Sequence, residues 1–225
     1  MKTTFKTCLV AIALLIGVNT YAQDKPLTFG IKGGVNLSNF SGASAKGMDA
    51  RVSFNVGLTV DYALTQDLYL LTGLEYIVKG AKDEGTMSVE DPTYGKISFT
   101  GTENDSPTYL QVPIHLGYKL VVTDAAKIVF RAGPYIAYGI GGEVEVEGKA
   151  VINDVTVDID GGYDFFEEGR AKRFDFGLGL GVGAEFGKIG VGLGYDLGLI
   201  NIADTDLIDG NIKNMNAYLT VGYKF

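Results

Sequence analysis

The sequence predicts an all-β fold, an eight-stranded antiparallel up-and-down transmembrane β-barrel, and three observations carry that prediction. Eight stretches of about ten to twelve residues alternate apolar and polar side chains at every second position, which is the period of a strand with two different faces. Every charge inside those stretches falls in the polar phase. The connections between them alternate between long and short, as they must if the chain crosses a barrier back and forth.

The stretches are Leu27 to Leu37, Ser53 to Leu64, Leu68 to Lys79, Tyr109 to Leu120, Lys127 to Ile140, Phe174 to Phe186, Ile189 to Ile200 and Asn216 to Phe225. The second sets Phe54, Val56, Leu58, Val60, Tyr62 and Leu64 on one face against Ser53, Asn55, Gly57, Thr59, Asp61 and Ala63 on the other. The last is as clean, with Ala217, Leu219, Val221, Tyr223 and Phe225 against Asn216, Tyr218, Thr220, Gly222 and Lys224. The first carries Lys32 in its polar phase, the third Glu75 and Lys79, and the fourth His115 and Lys119. The fifth carries Lys127 and Arg131, the sixth Asp175 and Glu185, and the seventh Asp196. A charge facing lipid near the bilayer midplane costs about 2 to 4 kcal/mol, so a face without charges is what a lipid-facing surface requires.

A soluble periplasmic β-sandwich also segregates its faces and is the fold alternative. Three features favour the barrel. The stretches are longer than the five or six residues usual in soluble sheets. Gly177, Gly179, Gly181, Gly183, Gly190, Gly192, Gly194 and Gly198 all take the polar phase, where they would weaken a solvated strand but make room inside a narrow barrel. Long connections follow stretches one, three, five and seven, while Thr65 to Asp67, Val121 to Ala126 and Gly187 to Lys188 are short. This places segments near Ser41 to Ala50, Ala81 to Pro107, Glu143 to Lys172 and Ala203 to Asn214 outside the cell.

Composition narrows the function. With 19 basic and 27 acidic residues the net charge is −8, which leaves no surplus of cations for a phosphate backbone, so nucleic acid is not an expected partner. One His and one Cys are too few for a zinc or copper site, and no metal or other cofactor is expected. Residues 1–22 read as a cleaved secretory signal: Lys2 and Lys6, an apolar run from Cys8 to Val18, then Thr20-Tyr21-Ala22 before Gln23. Residues 23–225 are then the barrel domain. Cleavage of the signal would take the only cysteine, Cys8, so stability must come from pairing and packing.

The segment Phe29-Gly30-Ile31-Lys32-Gly33-Gly34-Val35-Asn36-Leu37-Ser38 resembles the first strand of the PorT-like outer-membrane β-barrel family. Tyr109-Leu110-Gln111-Val112-Pro113-Ile114 is similar to that family's Tyr-Leu-(Glu or Gln)-(Ile or Val)-Pro segment, and Asp175-Phe176-Gly177 through Glu185-Phe186 to its late glycine-rich strand. The likeness spans essentially the whole mature chain. It implies an eight-stranded barrel in the outer membrane of a Gram-negative bacterium, with no catalytic residues to carry over. The family's founding member is tied to a protein-secretion system.

Gly179-Leu180-Gly181-Val182-Gly183-Ala184 matches a dinucleotide fingerprint in letters, but alternation runs straight through it to Phe186, so a glycine-lined barrel wall is expected. The acidic loops around Asp158 to Asp164 and at Asp204, Asp206 and Asp209 lack EF-hand spacing and are expected to be solvated. From Glu143 to Arg173 nine acidic residues face four basic ones, and two alternating arms there, Glu143 to Gly148 and Val155 to Ile159, read as a hairpin extended beyond the membrane. His115 is the one conventional proton shuttle; inside a strand it is expected as a hydrogen-bonded lumen histidine, and no enzyme activity is expected.

The polar phase collects Lys32, Lys79, Lys119, Arg131 and Lys224 against Asp61, Glu75, Asp175, Glu185 and Asp196, with His115 among them. Buried charges persist when paired, so a balanced set predicts an interlocked network and a plugged barrel. Glu75 and Asp175 are the candidate partners of Arg131. Tyr223 and Phe225 end the last stretch on the lipid face and are expected to serve as an assembly signal. The expected partners are outer-membrane lipid, the barrel-assembly machinery, and a surface ligand or membrane-protein partner. The expected role is a scaffold that displays acidic external loops for binding, adhesion or docking. The alternatives are a small-solute channel and, behind it, a lipid-modifying outer-membrane enzyme.

Overall fold

The computed structural model describes residues 26–91, 95–152, 155–168, 170–204 and 210–225. The proposed signal segment 1–22 and the loop acids Asp206 and Asp209 lie outside the described residues. Ten antiparallel strands follow one another: β1 (Leu27–Ser41), β2 (Asp49–Ala63), β3 (Leu68–Val78), β4 (Ala81–Asp91), β5 (Gly95–Thr123), β6 (Ala126–Ile152), β7 (Val155–Asp164), β8 (Phe174–Phe186), β9 (Ile189–Gly198) and β10 (Lys213–Lys224).

Eight of these strands close a ring. In the order β1, β2, β3, β5, β6, β8, β9, β10 each pairs with the next, and β10 pairs back onto β1 along twelve positions from Gly30↔Lys224 to Ser41↔Lys213. Closure removes the unpaired edges that an open sheet would expose to lipid, where an unpaired N–H or C=O has no water to turn to. Each of the eight alternating stretches falls on one ring strand, running past its end by two residues at most. No helix among the described residues is long and apolar enough to cross a membrane; strands make the crossing.

The ring's outer surface is apolar throughout its middle, with Ile31, Val56, Leu74, Ile114, Leu178, Leu193 and Val221 all exposed. Exposed aromatics gather at two heights. Tyr62, Tyr118, Phe186 and Tyr223 lie near the short-turn end, and Phe54, Tyr76, Tyr138 and Phe174 toward the long-connection end. Such girdles mark the two interfaces of a bilayer.

Two strands run far past the membrane. β5 spans 29 residues and β6 spans 27, whereas about 9–11 suffice for a tilted crossing. Above the ring they remain paired to each other, β4 adds to the far side of β5, and β7 adds to the far side of β6, giving a projecting sheet of order β4-β5-β6-β7. The hairpin expected between Glu143 and Ile159 is the β6–β7 half of it. The segment Ala81 to Pro107, expected as a loop, is instead the β4–β5 half. Its alternation was hidden because threonine and serine occupy one face, and those residues also populate loops.

The two faces of the projecting sheet exchange polarity relative to the barrel. Cross-strand partners place Val89, Ile97, Phe99, Val144, Val146, Ala150, Val155, Val157, Ile159 and Tyr163 on one face. Ser88, Thr86, Glu84, Ser98, Thr100, Thr102, Glu145, Glu147, Asp158 and Asp160 share the other. In β5 the apolar face continues the lumen phase of Tyr109, Gln111 and His115, so apolar groups now point toward the barrel axis. In β6 the same inversion is made by a bulge: Thr108 pairs with Gly141 and Tyr109 with Gly139, leaving Ile140 extra, and Gly142 follows at φ +149°, a conformation that suits glycine. The surroundings explain the change. Lipid beside the barrel demands apolar groups outward, while water beside the projecting sheet demands polar ones.

Candidate functional site

Lumen side chains form layers. Nearest the short turns, Lys119 Nζ lies 2.6 Å from Asp61 and 3.2 Å from Glu185, and Lys224 pairs with Glu185 at 2.5 Å and with Asp61. Two ammonium and two carboxylate groups thus interlock, and Lys119 also lies 4.2 Å from the centre of the Tyr69 ring.

In the middle, Lys32 reaches Glu75 at 2.6 Å across Gly57, which pairs with both residues and leaves the path between them clear. Asp196 accepts from Gln111 Nε2 at 2.9 Å and from the Tyr218 hydroxyl at 3.4 Å. His115 is buried with no hydrogen-bond partner for Nε2 among the described residues. A cavity of about 110 Å³ opens here, bordered by Lys32, Glu75, Gln111, His115, Arg131 and Thr220. Its charged and polar side chains and its size suit several bound waters, each needing about 10–15 Å³.

Toward the long-connection end the lumen fills completely. Lys79 and Asp175 meet at 3.0 Å with both side chains 0% exposed. Asp175 also accepts from Tyr135 (3.2 Å) and Asn214 (2.9 Å), and Lys79 stands 4.4 Å from the Tyr135 ring centre. A second polar set lies beside it: Asn55 donates to Asn36 at 2.5 Å, Asn36 to the Val78 carbonyl at 3.2 Å, and Ser38 to Asn216 at 2.8 Å.

An apolar seal lies above. Phe166, from the segment after β7, packs on Ile77, Tyr109, Tyr135 and Ala137, with its ring edge-on to Tyr109 at 5.5 Å. Its neighbour Phe165 stacks on Phe40 at 6.1 Å beside Ala81 and Ile202.

All eleven residues assigned from the sequence to the lumen lie on lumen-facing positions, and the structure joins eight of them in ion pairs. Arg131 departs from the expected pairing. Glu75 is taken by Lys32 and Asp175 by Lys79, while the Arg131 guanidinium lies 5.6 Å from the Tyr218 ring centre. It rests against Gly181 and Gly192, where the absence of side chains gives it room along the wall rather than across the lumen. Tyr109, Gln111, Tyr135, Asn214 and Tyr218 join the lumen network without being expected members of it, although each takes the lumen phase of its strand; neutral polar groups give no charge signal. Phe165 and Phe166 fall within the segment Glu143 to Lys172, which the sequence places outside the cell without assigning these rings a role. Tyr223 and Phe225 lie exposed at the end of β10, their rings 5.8 Å apart and edge-on. The fingerprint-like Gly179 to Ala184 is continuous strand within β8.

The outer membrane protein β-barrel domain family matches residues 21–204. No curated protein matches the chain. Among solved structures it is similar to Ail, the attachment invasion locus protein of Yersinia pestis, at 13% identity and TM-score 0.37, covering 89% of this chain and 100% of that one. It is similar to Neisserial surface protein A at 12% identity and TM-score 0.37, covering 89% and 100%. The N-terminal β-barrel domain of Pseudomonas aeruginosa OprF is similar at 14% identity and TM-score 0.33, covering 90% and 100%.

Proposed function

Since this chain belongs to the outer membrane protein β-barrel domain family, we propose that it is a sealed scaffold whose projecting sheet, held outside the cell, binds a macromolecular partner. The observation that carries this reading is the continuation of β5 and β6 past the barrel as an amphipathic sheet with apolar groups at its surface. Val89, Val155, Val157 and Ile159 are all exposed there. A membrane anchor alone has no use for such a surface, and contiguous exposed apolar groups rimmed by polar ones mark interaction sites. The motifs resembling the PorT-like family support that branch and, with it, docking to a membrane assembly as one form the partner takes.

The test is photo-crosslinking in intact cells. A photoreactive residue at Val157, on the apolar face, should give a discrete product, and one at Thr100, on the polar face, should give little. The product should weaken when Val89 and Ile159, exposed on the same face, are replaced by serine, while the barrel keeps its heat-shifted gel mobility. Absence of product at Val157, or equal product from both faces, would sink the reading.

The layered lumen supports a closed barrel over the channel alternative. Purified protein in planar bilayers should show no resolved conductance steps in molar salt; regular steps would restore the channel. A non-catalytic role is the companion reading, since no hydroxyl among the described residues is hydrogen-bonded to His115 Nε2.

A further inference from the structure

Where the apolar face of the projecting sheet meets the seal, a pocket of about 120 Å³ lies between Phe40, Met48, Val144, Phe165, Ile202 and Ile212. Two carboxylates, Asp105 and Glu103, also line it, together with Tyr163 and Arg170. Asp105, on β5 above the membrane-spanning part, is 9% exposed, and none of the side-chain hydrogen bonds or ion pairs among the described residues reaches it. An ionised carboxylate buried without a partner is costly, so the site calls for either a proton or a cation.

The nearby cations are engaged elsewhere or stand off. Arg170 lies 3.8 Å from the centre of the Tyr163 ring and pairs with Glu167 at 3.4 Å. Arg51 makes no ion pair among the described residues. Further negative charge flanks the site: Glu103 accepts from the Tyr163 hydroxyl at 3.1 Å, and Asp83 faces Glu103 across the β4–β5 pair.

We propose that this pocket binds one organic cation, a primary ammonium on an unbranched apolar stem, with its charge against Asp105 and its stem between Phe40, Phe165 and Ile202. A metal ion fits poorly, because Ca²⁺ takes six to eight oxygens and the lining offers only the Asp105 and Glu103 carboxylates and Tyr163, with the Arg170 guanidinium beside them. No cluster of metal-binding side chains occurs among the described residues. A guanidinium fits less well, since a single carboxylate suits a compact point charge on a flexible stem. The ammonium has two sources: a free alkylamine, or a lysine side chain of a partner lying on the sheet. The second source rests on the function proposed above.

Burial, with Glu103 and Asp83 close by and Arg51 partly offsetting them, holds the Asp105 carboxyl up at about 7. The ammonium keeps its charge over this range. Binding therefore strengthens above that pH, where Asp105 is ionised, and weakens below it, where Asp105 is neutral.

The full chain, refolded in zwitterionic micelles, is titrated with n-butylammonium while the methyl NMR signals of Met48, Val144, Ile202 and Ile212 are followed. Saturable shifts are expected at pH 8, with affinity lower by about tenfold or more at pH 5.5 and for n-butanol, which has the same stem without the charge. Asp105→Asn should abolish the response and Asp83→Asn should retain it. Equal saturation by butanol and butylammonium, or a response indifferent to pH, would overturn the proposal. Should Asp105→Asn fail to fold, the pH series on the parent protein still decides. A peptide of alternating valine and lysine separates the sources: shifts at these methyls together with Val155, Val157 and Ile159 identify a partner's lysine. Butylammonium binding without any peptide response identifies a free amine, and then the sheet reading fails while the pocket stands.

Discussion

Asp175→Asn should lower the free energy of unfolding by about 3–5 kcal/mol, the largest loss expected from any isosteric change in the lumen. The substitution preserves volume and removes only charge. It strands the Lys79 ammonium, which is 0% exposed and has Asp175 as its sole ion-pair partner among the described residues. It also weakens what Tyr135 and Asn214 donate to, because hydrogen bonds to a charged group are the stronger kind. The double variant Lys79→Met with Asp175→Asn should recover much of the loss, since the uncompensated charge, more than the missing bond, sets the cost. Lys149→Ala, whose side chain is 69% exposed and 3.9 Å from Asp158, should leave the midpoint unchanged. The chain has no Trp, so the readout is the urea dependence of the heat-shifted band and of circular dichroism. A single variant Asp175→Asn within about 1 kcal/mol of the parent would mean that Lys79 is hydrated and the outer lumen open.

The ring was legible in the sequence because lipid enforces one rule along every crossing. A period-two pattern with charge on one side cannot slip by one residue without putting Lys32, Asp61 or Asp175 into hydrocarbon, so phase, register and facing are all fixed by the same residues. Pairing inside the lumen was less legible. Lys32 finds Glu75 because Gly57 lies between them on the wall, and Arg131 lies flat because Gly181 and Gly192 leave it space; both outcomes depend on shear, which the linear pattern does not carry. The projecting sheet was half legible. Its β6–β7 arm alternates valine with glutamate and reads as strand. The β4–β5 arm alternates serine and threonine with small or apolar residues, and its phase reverses relative to the lipid because the outer solvent changes from hydrocarbon to water. The seal of Phe165 and Phe166 is tertiary in origin: two adjacent aromatics in an acidic segment show nothing of their use until β1, β3 and β6 converge beneath them.

The glycines of β8 and β9 yield the second large effect, and they separate a crowded interior from a merely flexible wall. A side chain added at Gly177 would place its Cβ 2.2 Å from the Leu197 carbonyl oxygen and 2.6 Å from the Tyr135 ring, the same ring that donates to Asp175 and covers Lys79. Backbone on one side cannot yield and the ring on the other is fully buried, so Gly177→Ala should cost about 1–3 kcal/mol as overpacking, and Gly177→Val more. Gly190 lies in the same polar phase of the next strand, yet its nearest neighbour would be 3.9 Å away, so Gly190→Ala should be tolerated or slightly stabilising through the unfolded chain. Both substitutions add one methyl group to a strand glycine facing the lumen, so strand propensity predicts the same small gain at each. Lumen crowding predicts a loss at Gly177 alone. Urea midpoints of the two variants decide the matter: a shift downward at Gly177 with none at Gly190 is the expected result. Equal shifts would show that the glycines serve the strand rather than the packing, and that the layer built on Tyr135 and Asp175 has room to spare.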